Sequence, residues 1–272
     1  MNRFDEKCRK LKELMGEYAK QNIMLAFSGG VDSSILLKIA CEQAEQYNTK
    51  VYAVTIHTVL HPMKDLEITK KLAEEYGAIH RILCVDELEE AGIENNPENR
   101  CYLCKRYMFT RILKEAGDLN AEYVIEGTNA DDRKEYRPGI RALKELGILS
   151  PLAVLDFTKE EVRKLAREYG IETADRPSTP CLATRFSYHT KLSYENIRKV
   201  ETIETYIREQ GFYNVRARIH DNLVRIEVDE KDIPALLKKR REMVSMIKKL
   251  GYSYITVDME GFRSGSQDIR NI

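Results

Sequence analysis

The chain has 272 residues, 43% hydrophobic and 32% charged, with 44 Lys and Arg balanced by 44 Asp and Glu. That length fits one large domain or two modest ones with a real core. The zero net charge removes the general pull towards nucleic acid that phosphate neutralisation by Lys and Arg supplies, and no apolar run approaches the ~20 residues of a membrane span. The opening Met1-Asn2-Arg3-Phe4-Asp5-Glu6-Lys7 lacks the apolar centre of a secretion signal, so a cytoplasmic location is expected.

In chain order, residues 5–20 predict a polar helix with an apolar stripe at Leu11, Leu14, Met15 and Tyr18. Strands and helices then alternate. Strands are expected at 23–27, 51–56, 79–85 and 122–126, with a short piece near 148–150. Helices are expected at 31–47, 64–76, 101–116, 139–146 and 159–169. The last opens on a capping box, Thr158 as N-cap and Glu161 three residues on. Gly77 and Gly170 follow helices as C-terminal caps do. Residues 86–100 are acidic and polar and read as an exposed loop. Residues 172–190 carry Pro177 and Pro180 and read as a linker. Beyond it the rhythm changes to a helix over 193–209, a hairpin of 215–220 and 222–228 turning near Asp221-Asn222, a helix over 233–249 and a strand over 253–258.

Alternating β and α elements imply an α/β fold, a parallel sheet with helices on both faces that binds ligands at the carboxyl ends of its strands. The later elements imply a smaller α+β domain. The expected boundary divides 1–175 from 176–272.

The most informative segment is Ser28-Gly29-Gly30-Val31-Asp32-Ser33-Ser34, directly after the apolar run 23–27. Glycines let a backbone approach an anion closely. The amides at a helix start point outward at the positive end of its dipole, and the hydroxyls of Ser28, Ser33 and Ser34 add donors. A phosphate or pyrophosphate suits such a loop. A Walker A loop would need a Lys at its end, and here an Asp is present instead. The heptad resembles the PP-loop of the ATP pyrophosphatases, which cleave ATP between the α and β phosphates and adenylate a substrate oxygen. The Lys238-Lys239-Arg240-Arg241 run reads as a solvated helix face.

Six cysteines are present. Cys8, Cys41 and Cys84 fall inside periodic patterns and read as small buried apolar residues. Cys101-Tyr102-Leu103-Cys104 is a C-x-x-C at a helix start, and Cys181 lies 77 positions after Cys104. A C-x-x-C alone fits a redox pair, half a zinc site, cluster ligands or coincidence. A structural zinc site wants four ligands, whereas three thiolates on a 4Fe-4S cluster would leave one iron open for a non-protein ligand. Arg176 and Arg185 flank Cys181 and would favour its thiolate.

Taken together, these stretches resemble the LarE family of ATP-dependent sulfur transferases of nickel-pincer nucleotide biosynthesis. The resemblance runs through Glu126-Gly127-Thr128-Asn129-Ala130-Asp131-Asp132, Tyr136-Arg137-Pro138-Gly139, Cys181-Leu182-Ala183-Thr184-Arg185, Arg225-Ile226-Glu227-Val228 and Asp258-Met259-Glu260-Gly261-Phe262-Arg263-Ser264-Gly265-Ser266. It implies a PP-loop, Rossmann-like fold of the adenine nucleotide alpha hydrolase kind. It also implies a two-step reaction: adenylation of a carboxylate on a pyridinium mononucleotide with release of pyrophosphate, then displacement of AMP by a sulfur nucleophile to give a thiocarboxylate. In the family's sacrificial version, the cysteine matching Cys181 donates its own sulfur and becomes dehydroalanine. With Cys101 and Cys104 also present, the resemblance instead implies Cys101, Cys104 and Cys181 as ligands of a 4Fe-4S cluster that carries the transferred sulfide, fed by an external sulfur source. It further implies an ATP site at Ser28, Gly29, Gly30, Asp32, Ser33, Ser34, Gly127 and Thr128, with Asp32 positioning Mg2+ or the phosphates. Arg185, Arg216 and Arg218 are the substrate-binding candidates, since Arg forks match phosphate and carboxylate geometry. Glu227 fits proton transfer, metal handling or an alternating surface position equally. The family forms homo-oligomers, commonly hexamers.

Three rivals stand beside this reading. A tRNA-thiolating PP-loop enzyme would adenylate a base oxygen. An ammonia-using synthetase such as the NAD synthases needs no reactive cysteine. An iron–sulfur or nucleotide sensor would bind ATP without forming pyrophosphate.

Overall fold

A computed structural model describes residues 2–61, 64–133, 138–175 and 181–263. These form two compact units. One holds the described residues of 2–58, 64–92 and 99–175, and the other those of 59–61, 93–98 and 181–263.

In the first unit, α1 (Arg3–Tyr18) precedes β1 (Ile23–Ala26), α2 (Val31–Tyr47), β2 (Val51–His57), α3 (Lys64–Tyr76) and β3 (Ile79–Cys84). A short α4 (Glu87–Glu90) leads to α5 (Arg100–Asp118), β4 (Tyr123–Ile125), α6 (Pro138–Glu145), α7 (Pro151–Val154) and α8 (Lys159–Glu168). The four strands run parallel in the order β3-β2-β1-β4. The piece expected near 148–150 is a single parallel bridge between Ile125 and Leu149. The period of two along the strands sorts side chains to two faces. Ile23, Leu25, Val51 and Ala53 join Leu11 and Met15 of α1, Ile35 and Ile39 of α2 and Val162 and Leu165 of α8. Met24, Tyr52 and Val54 face Phe109 and Ile112 of α5 and Leu143 of α6. Each such buried side chain stabilises the fold by about 1.5–3 kcal/mol relative to exposure, so both faces of the sheet are sealed by helices.

The Thr158 capping box is formed in both directions. The edge strand β3 departs from expectation. With one neighbour and thin cover it leaves Ile79 and Ile82 more than 40% exposed, and Cys84 is exposed instead of buried. Cys41 is buried and Cys8 half-buried, and burial above all pushes their thiols up to about 12 and about 11.

In the second unit, α9 (Tyr194–Glu209) packs on a hairpin of β5 (Val215–His220) and β6 (Leu223–Val228). The hairpin turns at Asp221, whose φ is +53°. β7 (Tyr254–Val257) adds to β6 in parallel, giving the order β5-β6-β7. The helix expected over 233–249 is two helices, α10 (Ile233–Lys238) and α11 (Arg240–Lys249). They part at Lys239, whose ammonium holds the carbonyl and side chain of Gln210. The neighbouring Lys238, Arg240 and Arg241 are exposed, as a solvated face requires.

Residues 86–100 are not an exposed loop. Glu87, Leu88, Ile93 and Asn96 are all buried. Asn96 belongs to the second unit, where its amide donates to the carbonyls of Phe186 at 3.2 Å and Ser187 at 2.8 Å. The described part of the expected linker is folded too. Leu182–Arg185 form a 3-10 turn, and Phe186 bridges to Ile219 of β5.

Candidate active site

The heptad takes the strand–turn–helix form its sequence demands. β1 ends at Ala26, the Phe27 amide bonds Val54 at 2.7 Å, and the chain turns at Gly29, whose φ of +70° belongs to the left-handed region that glycine enters without strain. Gly30 then caps α2 without a side-chain acceptor, leaving the first-turn amides free of any capping oxygen. Ser33 shapes the turn: its hydroxyl lies 3.2 Å from that of Ser28 and donates to the Gly30 carbonyl at 3.1 Å. Ser28 is exposed at the loop's mouth. Ser34 is fully buried, and its hydroxyl accepts a hydrogen bond from Thr173 at 3.3 Å. It therefore ties α2 to the chain after α8.

The end of β4 comes directly against this loop. A Cβ on Gly127 would lie 3.0 Å from that of Asp32 and 3.1 Å from the Ser33 nitrogen, so the approach requires glycine. The buried carboxylate of Glu126 sets the next turn. It accepts from the Thr128 amide at 3.0 Å, from the Thr128 hydroxyl at 2.8 Å and from the Ser150 hydroxyl. Both polar groups of Thr128 thus serve the turn. Asn129 follows, 1% exposed. Its side-chain oxygen accepts from the amides of Asp131 and Asp132 at 3.0 and 3.3 Å, and its Nδ2 donates to Asp32 Oδ1 at 3.0 Å. The other oxygen of Asp32 is paired with the ammonium of Lys159, at the first position of α8. The Lys159 amide donates to Asp131 Oδ2 at 2.8 Å. Asp32, Asn129, Asp131 and Lys159 are therefore one polar cluster beside the loop. Asn129 lay inside a motif singled out above. Lys159 carried no signal beyond its place after a cap.

The chemistry of this set fits ATP with Mg2+. The magnesium ion takes one or two carboxylates and completes its shell from phosphates and water, and Asp32 is such a carboxylate in the first turn of a helix that no side chain caps. Among the described residues no group of three or more His, Cys, Asp or Glu side chains could hold a metal by itself.

The cysteines divide between the units. Cys101 and Cys104 sit three residues apart in the first turn of α5, the former exposed and the latter half-buried. That spacing puts them on one helical face. Gly139 of α6 lies close by, where a Cβ would meet the Lys105 side chain at 2.9 Å and the Cys101 carbonyl at 3.3 Å. Cys181 opens the 3-10 turn of the second unit and is half-buried. Arg176 of its expected cationic setting, with Tyr136, Arg137 and Ser264–Ser266 of the motifs, lies outside the described residues.

The three arginine candidates lie together but differ in state. The Arg185 side chain is 1% exposed and forks onto Glu204 at 2.7 and 3.0 Å. Its remaining nitrogen reaches the Thr184 hydroxyl at 2.8 Å and the Cys181 carbonyl at 3.3 Å. Burial opposes ionisation of Glu204, but Arg185, Arg208 and the Ala217 amide outweigh it and hold the carboxyl below its usual range. Arg218 forks onto Glu227 at 3.1 Å through each contact and donates to the Thr184 carbonyl at 2.7 Å. Glu227 is fully buried, which removes the surface reading of that residue. Arg216 is different. Also buried, it donates to the Val215 carbonyl at 2.8 Å, lies 4.8 Å from the Phe262 ring centre and forms no ion pair among the described residues. Burial first, then the charge of Arg185, pulls it down to about 10 against the pull of Glu204.

The family model described as the PP-loop domain matches residues 4–179. The pyridinium-3,5-bisthiocarboxylic acid mononucleotide synthase of Lactiplantibacillus plantarum is 35% identical over 245 residues, 90% of this chain and 88% of its own. An uncharacterised protein of Synechocystis sp. is 36% identical over 96% of both chains. A tRNA-specific 2-thiouridylase of Rickettsia bellii is similar over 59% of this chain and 53% of its own, at 28% identity.

Proposed function

This chain belongs to the PP-loop family and within it to the LarE sulfur transferases, and we propose that it adenylates a carboxylate of a pyridinium dicarboxylate mononucleotide and replaces an oxygen by sulfur. The observation that carries the proposal is the set of Gly29, the uncapped start of α2 and the gripped Asp32 in a chain alike along nine-tenths of its length to a bisthiocarboxylate synthase.

The steps follow from the residues. ATP lays its phosphates on the turn of Ser28, Gly29, Gly30 and Ser33, with the amides of α2 as donors. Asp32 is the carboxylate that would hold the Mg2+ accompanying the nucleotide, and that ion would supply charge neutralisation at the phosphates. Gly127 and Thr128 border the pocket. A substrate carboxylate oxygen attacks the α-phosphorus and pyrophosphate leaves. Sulfur then attacks the acyl carbon and AMP leaves, which is favourable because a thiolate is a strong nucleophile at neutral pH. Arg216 meets the substrate's anionic groups, while Arg185 and Arg218 brace the turn that carries Cys181. The sulfur source belongs to Cys101, Cys104 and Cys181. The cluster reading rests on their number and spacing in the sequence, and a 4Fe-4S cluster, when bound, would supply sulfide. Without one, Cys181 is the donor: its thiolate forms a thioester as AMP leaves, and loss of its Cα proton then breaks its Cβ–S bond, releasing the thiocarboxylate and leaving dehydroalanine.

The test is incubation with ATP, Mg2+ and the pyridinium dicarboxylate mononucleotide, measuring acceptor-dependent pyrophosphate and the mass of the acceptor. Pyrophosphate release together with an oxygen-to-sulfur mass change supports the proposal. Release that depends on tRNA and ignores the mononucleotide would sink it. Iron and sulfide counts on anaerobic protein, wild type against Cys101→Ala, separate the two sulfur sources.

A further inference from the structure

Arg216 stands directly opposite Glu227 in the β5–β6 ladder, yet forms no ion pair among the described residues. Glu227 is taken by Arg218 and Arg225. Only 7% of Arg216 is exposed, and a charge buried to that degree is ordinarily matched by an acid. What meets it instead is an aromatic ring. The guanidinium carbon lies 4.8 Å from the ring centre of Phe262, inside the range of a cation–π contact. Phe262 is brought there by residues 258–263, which follow the end of β6. The amides of Asp258 and Phe262 donate to the carbonyls of Ile226 and Val228 at 2.9 and 2.8 Å. Between them the chain turns at Gly261, with φ of +71°. A Cβ there would meet the Val228 carbonyl oxygen at 2.8 Å and the Glu230 nitrogen at 2.9 Å, so the turn requires glycine. Asp258 fastens the segment further, on Arg225 at 3.5 Å and Arg263 at 3.3 Å.

The choice of partner has a chemical consequence. A carboxylate beside Arg216 would neutralise it and compete with any anion that approached. An aromatic ring does neither. It attracts the cation through its quadrupole and leaves the net charge of the guanidinium in place. We propose that Phe262 is a positioning residue of the acceptor site, holding Arg216 charged and aligned for an oxyanion of the substrate, its phosphate or a ring carboxylate. This rests on the function proposed above, in which Arg216 meets those groups. Residues 258–263 are then part of the binding site, and Asp258 and Gly261 act on the substrate through the ring they place.

The experiment replaces Phe262 by mono-, di- and trifluorinated phenylalanine, which keep the shape of the ring while draining electron density from its face. Phe262→Leu, Arg216→Leu and the two combined accompany the series. Inorganic phosphate and pyridine dicarboxylate are titrated separately by calorimetry. Affinity for at least one of them should fall stepwise with fluorination, to about three- to ten-fold below wild type at the end of the series, the scale of one cation–π contact. The probe that responds names the group seated on Arg216. Phe262→Leu should lose about ten-fold, and should cost nothing further once Arg216→Leu is present, as expected of two residues acting through one contact. In turnover the KM for the mononucleotide should rise along the series, with kcat and the KM for ATP near wild type. A ring that only packs would lower stability in Phe262→Leu and show no slope with fluorination. Affinities for both probes that stay flat across the folded series overturn the inference. If Phe262→Leu does not fold, the fluorinated series decides alone. Failure of the wild type to use the mononucleotide, with the slope present, would defeat the proposed substrate and leave the pairing of Phe262 with Arg216 standing.

Discussion

Asp32 and Lys159 keep 18% and 36% of their side chains exposed, whereas Arg185 and Glu204 keep 1% each. The first pair has one Asn amide as its further support on Asp32. In the second, Glu204 gathers Arg185, Arg208 and the Ala217 amide, and Arg185 adds Thr184 and the Cys181 carbonyl. A half-exposed pair is worth about 0–1 kcal/mol and exchanges partners easily. A sealed pair contributes little over apolar packing, yet removing one partner costs about 3–5 kcal/mol. The same residue types therefore make a fixed support in one unit and an exchangeable pair in the other.

Glu204→Ala should give the largest effect. It strands Arg185 beside Arg208, Arg216 and Arg218, and urea unfolding should show a loss of about 3–5 kcal/mol. ATP affinity of the protein that remains folded should stay near wild type. If stability is unchanged, the contrast between the clusters fails. Gly127→Ala comes next. Its Cβ drives into Asp32 and Ser33, so a loss of about 1–3 kcal/mol is expected, together with weaker ATP binding by calorimetry. Stability lost with nucleotide affinity intact would separate this turn from the site. Thr158→Ala removes the cap of α8 and should cost about 1 kcal/mol in thermal unfolding, with a modest rise in the KM for ATP because Lys159 is the next residue.

The smallest effect is one of pH. Glu87 is fully buried, and the Thr58 hydroxyl donates to one of its oxygens at 2.5 Å. Burial raises its carboxyl above the usual range, against the pull of that hydrogen bond. The folded state therefore holds this proton more tightly than the unfolded one. Stability falls as pH rises from the ordinary carboxylate range through the raised value, and the loss is complete above it. Glu87→Gln should match wild type in acid and exceed it at pH 8 in denaturant titrations. Parallel curves across pH would show that Glu87 ionises in the fold without penalty.

Much of the first unit was legible because its signals are local. The β1 run, the glycine turn, the α2 start and the Thr158–Glu161 box each span fewer than a dozen residues, and the structure forms all of them. What escaped was pairing at long range. No periodicity joins Lys159 to Asp32 or Arg185 to Glu204, and the alternation that let Glu227 read as a surface position carried no sign that Arg218 and Arg225 pair with it. Polar composition also misled at 93–98, where Asn96 satisfies its amide on two carbonyls and so tolerates burial. In the same way Lys239 closes α10 on Gln210 within a run that reads as one helix.

The hook at 93–98 bears on how this gene can be divided. A stop placed at residue 175 would yield a fragment carrying Ile93 and Asn96 without the carbonyls of Phe186 and Ser187 that receive them, and the complementary fragment would lack the Asn96 carbonyl that accepts from His189. The two units are thus compact bodies without being separable modules. Transplanting the second onto another nucleotide-binding partner would have to bring along residues 59–61 and 93–98 from within the first.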